Sequence, residues 1–240
     1  MNRRSAIALT LLCSLCLFYQ TLAQTKAQAP QQTKAPVVQT AAANNFALSA
    51  LEQELLDEIN LARTNPQQYA GYLEQLKPYF KGNIFQLPGR GGLITQEGTS
   101  ALEDAIRVLR QTKPLNPFTL SRGMSLGANL LVQDAGPKGL TGHKGTDGSF
   151  CEQRIERFGT WQGSVGENLS YGKETARQRI MTLLIDDGFT DRGHRTRLLS
   201  PDFKVAGVSC GDHAQLGVMC VITLAGGYTD RANQGAAQKF

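Results

Sequence analysis

Two of the three histidines in this chain stand beside glycine, in segments that also carry acids. They lie in Gly142-His143-Lys144-Gly145-Thr146-Asp147-Gly148-Ser149 and in Arg192-Gly193-His194-Arg195. Between them come Gly166-Glu167-Asn168-Leu169 and Asp186-Asp187-Gly188. Two imidazoles and two or three carboxylates that converge make a metal site or an acid–base site. Glycine next to such groups lets the backbone turn tightly and leaves room for a neighbour. Glu167 sits between apolar Val165 and Leu169, so it is expected to be partly buried, and a buried carboxylate needs a partner. Asp187 is read as the end of a helix, the negative end of the dipole, where an acid has no evident structural reason. Asp186 and Asp191 compete for the same role. His194, flanked by Arg192, Arg195 and Arg197, is placed on a short helix ahead of Pro201.

Neutral imidazoles at His143 and His194 suit Zn²⁺ or another divalent metal and would leave open positions on it. Glu167 is then the candidate catalytic base of a metal-assisted, protease-like hydrolase. Without metal, the same residues form a polar network that orders a cleft. Gly207-Val208-Ser209-Cys210-Gly211 fits the nucleophile-elbow pattern, but that motif needs a helix after the serine and a second strand is read there instead. Asn168-Leu169-Ser170 is a glycosylation sequon, yet it falls in the proposed cleft.

The elements that must hold these residues follow from periodicity. Ser49 with Glu52 forms a capping box before Leu51, Leu55, Ile59 and Ala62 at helical spacing. Asn65-Pro66 ends that helix and starts a second. Residues 81–98 read as a long Gly-rich loop. Ser100 with Glu103 is expected to cap a third helix, Ser121 to open a fourth, and Ser149 with Glu152 to cap a short fifth. A further helix is expected from about Thr175 to Asp187. Residues 204–211 and 216–224 read as two strands of a hairpin. Cys210 and Cys220 flank its turn and are expected to pair, leaving Cys151 over. Helices first and an antiparallel hairpin last indicate α+β rather than a βαβ repeat.

The N-terminus reads as a signal peptide over residues 1–23, with Arg3 and Arg4 before an apolar run at 7–19 that is short for a membrane span. Residues 24–45, rich in Gln, Ala, Thr and Pro, read as a disordered linker. Residues 46–230 are long enough for one domain, and 231–240 form a tail. The formal charge of +5 falls to about +3 without Arg3 and Arg4, too mild to indicate a nucleic-acid partner. A secreted, extracellular or periplasmic protein with no stable membrane span after cleavage is the expectation.

The order of these motifs resembles the CAP superfamily (cysteine-rich secretory, antigen 5 and pathogenesis-related 1 proteins, or SCP domains), in a simpler microbial form with few disulfides. The resemblance runs from about Leu51 to Tyr228. It is carried by Glu58-Ile59-Asn60-Leu61-Ala62-Arg63, Gly142-His143, Gly166-Glu167-Asn168-Leu169-Ser170-Tyr171-Gly172, Arg192-Gly193-His194-Arg195 with Leu198-Leu199-Ser200-Pro201, and Val205-Ala206-Gly207-Val208. It implies an α-β-α sandwich with a central, largely antiparallel sheet, and a cleft lined by two histidines and two acids. By motif, His143 and His194 match the histidines and Glu167 the first acid. Asp187 is the choice for the second, in a segment that lacks the family's usual aromatic start. The resemblance also implies lipid, sterol or small-molecule binding more than catalysis. The metal-assisted hydrolase and a purely structural extracellular module are the alternatives.

Overall fold

The structure, a computed structural model, describes residues 46–232. The expected signal peptide, the linker and most of the C-terminal tail lie outside them. Helix α1 (Ala50–Thr64) starts at the expected capping box, in which the Ser49 hydroxyl accepts from the Glu52 amide and the Glu52 carboxylate accepts from the Ser49 amide. Helix α2 (Pro66–Glu74) follows directly. The Asn65 side chain caps it, and Pro66 occupies its first position, where a missing N–H costs nothing.

The expected long loop after α2 contains a small antiparallel sheet of β1 (Phe80–Lys81), β2 (Ile84–Phe85) and β3 (Leu93–Ile94). Its strands have two residues each, below the length at which alternation becomes readable. Helix α3 (Thr99–Gln111) is not capped by Ser100. Its N-cap is Gly98 at φ 62°, and the Ser100 hydroxyl turns back to the Glu97 carbonyl. A Cβ on Gly98 would lie 2.8 Å from Asn83 Oδ1, so both the conformation and the space call for glycine.

Strand β4 (Thr119–Leu120) leads into α4 (Arg122–Ala135), which Ser121 caps as expected through the Met124 amide. Helix α5 (Cys151–Glu156) begins one residue later than the Ser149–Glu152 pattern suggests. Phe150 is the N-cap, its amide donates to Gln153 Oε1, and Ser149 instead binds Asp147. The remaining elements are β5 (Gly159–Gly172), α6 (Ala176–Ile185), α7 (Gly193–Leu199), β6 (Val205–His213) and β7 (Gly217–Asp230).

The main sheet has the order β4-β6-β7-β5, antiparallel except between β4 and β6. Its central strand β7 is buried on both faces. Cys220, Ile222 and Leu224 pack on one side with Leu55, Ile59, Leu102, Ile180, Leu184 and Leu198 of α1, α3, α6 and α7. On the other side Met219 and Val221 meet Leu131 and Val132 of α4, and Ala225 meets Ile155 of α5. Each fully buried aliphatic side chain in these layers contributes roughly 2 kcal/mol. The result is the three-layer α-β-α arrangement, with a largely antiparallel sheet in the middle. Cys210 and Cys220 are direct cross-strand partners in β6 and β7 and are disulfide-bonded, while Cys151 is a buried free thiol.

Candidate functional site

Glu167 lies on β5, opposite Thr223 of β7, and is 5% exposed. Its Oε2 accepts from Arg154 Nη2 at 2.6 Å, and its Oε1 accepts from His143 Nδ1 at 2.9 Å. Arg154 belongs to α5 and is itself 1% exposed. Its Nη1 donates to the carbonyls of His143 and Ser149, so one guanidinium both neutralises the buried acid and holds the loop that carries the histidine. The Tyr171 hydroxyl accepts from the Gly142 amide and fixes the same loop from β5. The expected burial of Glu167 therefore comes with a partner the sequence reading missed. A signal was present: Arg154 stands beside Ile155 and three residues after Cys151, on the apolar side of a short helix.

The second pair differs from the expectation. His194 Nδ1 bonds Asp186 Oδ1 at 2.6 Å, not Asp187. Helix α6 ends at Ile185, and Asp186 is its C-cap at φ 57°. From there its Oδ2 accepts the amides of His194 and Arg195 at the start of α7. Asp187 points the other way and accepts the amides of Gln96 and Glu97 ahead of α3. One residue of difference in where the helix stops exchanges the two roles. Asp191, the other competitor, accepts only from the Gly193 amide among the described residues.

The loop between Asp186 and His194 is clamped from outside. Glu97 takes both terminal nitrogens of Arg192 at 2.6 Å and the Gly188 amide, which together hold its carboxyl well down, at about 2. Arg195 bonds Asp104 and the carbonyls of Leu184 and Ile185. The Phe189 ring stands edge-on to His194 with centroids 5.0 Å apart, and Phe189 is 56% exposed.

Successive strand residues point to opposite faces. Glu167 accordingly meets α5 and the His143 loop, whereas Asn168 faces α7 and donates from Nδ2 to the His194 carbonyl. Strand β5 is an edge of the main sheet, and it anchors both His–carboxylate pairs, one through Glu167 itself and the other through the Asn168 bond to the His194 carbonyl. A carboxylate accepts only, which puts the proton of each neutral ring on Nδ1 and leaves Nε2 as the available nitrogen. Asn168 is fully buried and its amide is engaged, so the sequon offers no acceptor. The third histidine, His213, is buried and shapes the β6–β7 turn. A cavity of about 390 Å³ lies elsewhere, lined by Glu54, Asp57, Glu58 and Arg177, and holds none of these residues.

Among the described residues no group of three or more His, Cys, Asp or Glu side chains is arranged to hold a metal ion. Each buried acid divides its oxygens between a histidine Nδ1 and a second partner, Arg154 for Glu167 and the α7 amides for Asp186. No described helix is long and apolar enough to cross a membrane.

An α-β-α domain with paired histidines and acids at its edge strand is the class that fold and site define. A family model described as the cysteine-rich secretory protein (CAP) family matches residues 103–224, and the chain belongs to that family. Among solved structures it is similar to an outer surface protein from Borrelia burgdorferi. That match has 17% identity and a TM-score of 0.39, and covers 46% of this chain and 78% of that one. An extracellular protein containing an SCP domain from Bacillus anthracis matches at 17% identity and TM-score 0.36, over 52% of this chain and 37% of that one. A cysteine-rich secretory protein from Staphylococcus aureus matches at 15% and 0.33, over 65% and 48%. The match thus spans half or less of the length of the last two. No curated protein matches the sequence.

Proposed function

We propose that this is a secreted CAP-domain protein that binds a small or lipidic ligand along the β5 edge and does not turn it over. The observation that carries this reading is the commitment of both acids. Glu167 has one oxygen on Arg154 and one on His143. Asp186 has one on the His194 ring and one on two helix amides. A general base must reach the proton it removes, and both acids are buried, Glu167 at 5% and Asp186 at 2% exposed, with each oxygen already turned to a partner within the protein. What the arrangement does supply is two rings oriented through Nδ1, each with Nε2 making no hydrogen bond among the described residues, plus the exposed Phe189 as an apolar wall. Secretion rests on the charged start and short apolar run at residues 1–19 and on the family to which the chain belongs.

The metal-assisted hydrolase has one feature in its favour. A histidine held at Nδ1 by a carboxylate is the usual posture of a metal ligand. His143 and His194 would be its ligands and Glu167 its base, but among the described residues no third donor is arranged with them, and Glu167 is buried against Arg154. The test is a pair of measurements on the secreted protein. Binding of a fluorescent sterol and of octanol is followed by titration, and cleavage of a fluorogenic peptide is followed with and without added Zn²⁺. Saturable binding without cleavage is expected. Zinc-dependent cleavage lost in Glu167→Gln would establish the hydrolase instead. No saturation with either ligand would leave the structural module.

A further inference from the structure

We infer that Arg197 and His194 form a subsite for a phosphate monoester group. This deepens, and rests on, the binding-cleft reading. Three arginines surround His194 in the sequence, and the structure separates them. Arg192 is paired with Glu97 and Arg195 with Asp104. Arg197 makes no ion pair among the described residues. Its one hydrogen bond is a long one, 3.4 Å, from Nη1 to the neutral Asn168 Oδ1. It is nevertheless half-buried, and a cation withdrawn from water without a counter-charge calls for one.

The surroundings keep its position open. A Cβ on Gly166 would lie 3.0 Å from Arg197 Cδ, and one on Gly193 3.2 Å from Arg197 Nη1. Glycine at both places makes room for the guanidinium beside the edge strand. His194 and Arg197 stand three apart on α7, which puts their side chains on one helix face. Asn168 touches both residues. The chemistry is complementary. The guanidinium offers a fork of N–H donors that matches phosphate oxygens. The His194 ring, protonated on Nδ1 by its bond to Asp186, offers Nε2 as an acceptor. A phosphate monoester carrying one P–OH satisfies both at once: its oxygens accept from Arg197 and its hydroxyl donates to Nε2. Phe189 beside His194 gives an ester chain an apolar surface. Two carboxylates are competing charges: Asp186, already bonded to the His194 ring and to two amides, and Asp191. The Asp191 Oδ2 also lies 3.2 Å from the position of a Gly193 Cβ, without forming an ion pair with Arg197.

Titration calorimetry with octyl phosphate, octanol and inorganic phosphate tests the inference. Octyl phosphate is expected to bind about tenfold more tightly than octanol, the usual scale for a charge-assisted hydrogen bond. Arg197→Gln should abolish that preference, Arg197→Lys should restore part of it, and Asp191→Asn should increase it. Asp191→Asn leaves the packing of Arg197 over Gly166 intact, so it reports even where the glutamine variant unfolds. Inorganic phosphate binding as tightly as octyl phosphate, with the same dependence on Arg197, would support the subsite and identify the ligand as a free phosphate rather than an amphiphile. Equal binding of octyl phosphate and octanol, unchanged by Asp191→Asn, would overturn the subsite while the cleft reading stands. Absence of binding by all three probes would overturn both.

Discussion

At the scale of single residues, Asp186 carries more than its neighbour Asp187. It is 2% exposed, adopts a left-handed conformation and accepts three hydrogen bonds from His194 and Arg195. Asp186→Ala leaves two amides at the start of α7 without an acceptor and the His194 ring without its orienting partner. A loss of about 2 kcal/mol or more in urea unfolding is expected, from the cap and the orphaned donors together. Asp187→Ala removes two bonds near the surface and should cost about 1 kcal/mol. Nitrogen chemical shifts of His194 separate the two: the Nδ1–H tautomer is lost in the first variant and kept in the second. The sequence showed the histidines, Glu167 and the acid pair, because glycine neighbours and mixed polarity mark them locally. It did not show which acid pairs with His194, since that depends on whether α6 stops at residue 185 or 187. It did not show Arg154 either, whose role appears only when α5 is laid against β5.

At the scale of elements, strand β5 carries the site and was the hardest to read. Gly163, Gly166, Gly172 and Asn168 all disfavour a strand, and nothing in the local pattern offsets them. Pairing with β7 holds the segment across a register shift between Gln162 and Val165. The hairpin of β6 and β7 was legible because its runs of Val, Ile and Cys are flanked by a turn. The loop before α7 depends on a contact with the region ahead of α3 that no local pattern encodes. That contact has a pH signature. The Arg192 fork, the Gly188 amide and the charge of Arg192 lower the Glu97 carboxyl from 4.5 to about 2. An acid whose value falls on folding contributes its stability above the unfolded value and loses it as pH drops through the folded one. The clamp should therefore be complete above about pH 4.5 and be lost between there and about pH 2. Urea midpoints measured at steps across that window should fall more steeply for the wild type than for Glu97→Gln. Parallel curves would show that Glu97 does not hold the loop.

At the scale of the whole molecule, stability and site are separable. The apolar layers on the two faces of β7 are built from α1 to α7, and neither His143 nor His194 belongs to them. The His143 side chain is 46% exposed, and that of His194 is 18% exposed. The two rings are held by Glu167 and Asp186, and both acids keep other partners when the rings are removed: Glu167 keeps Arg154, and Asp186 keeps the His194 and Arg195 amides. Replacing His143 and His194 together by alanine is thus expected to leave the circular dichroism spectrum unchanged and to lower stability by about 1–2 kcal/mol, the scale of two partly exposed hydrogen bonds. Zinc calorimetry on both proteins decides what the rings are for. If wild type takes up zinc and the folded double variant does not, the two imidazoles are the ligands, because isolated carboxylates favour harder cations in oxygen shells. Equal zinc affinity in both proteins would place any metal away from this edge. A double variant that fails to fold would assign the His–acid pairs a structural duty, with the loops around β5 depending on them.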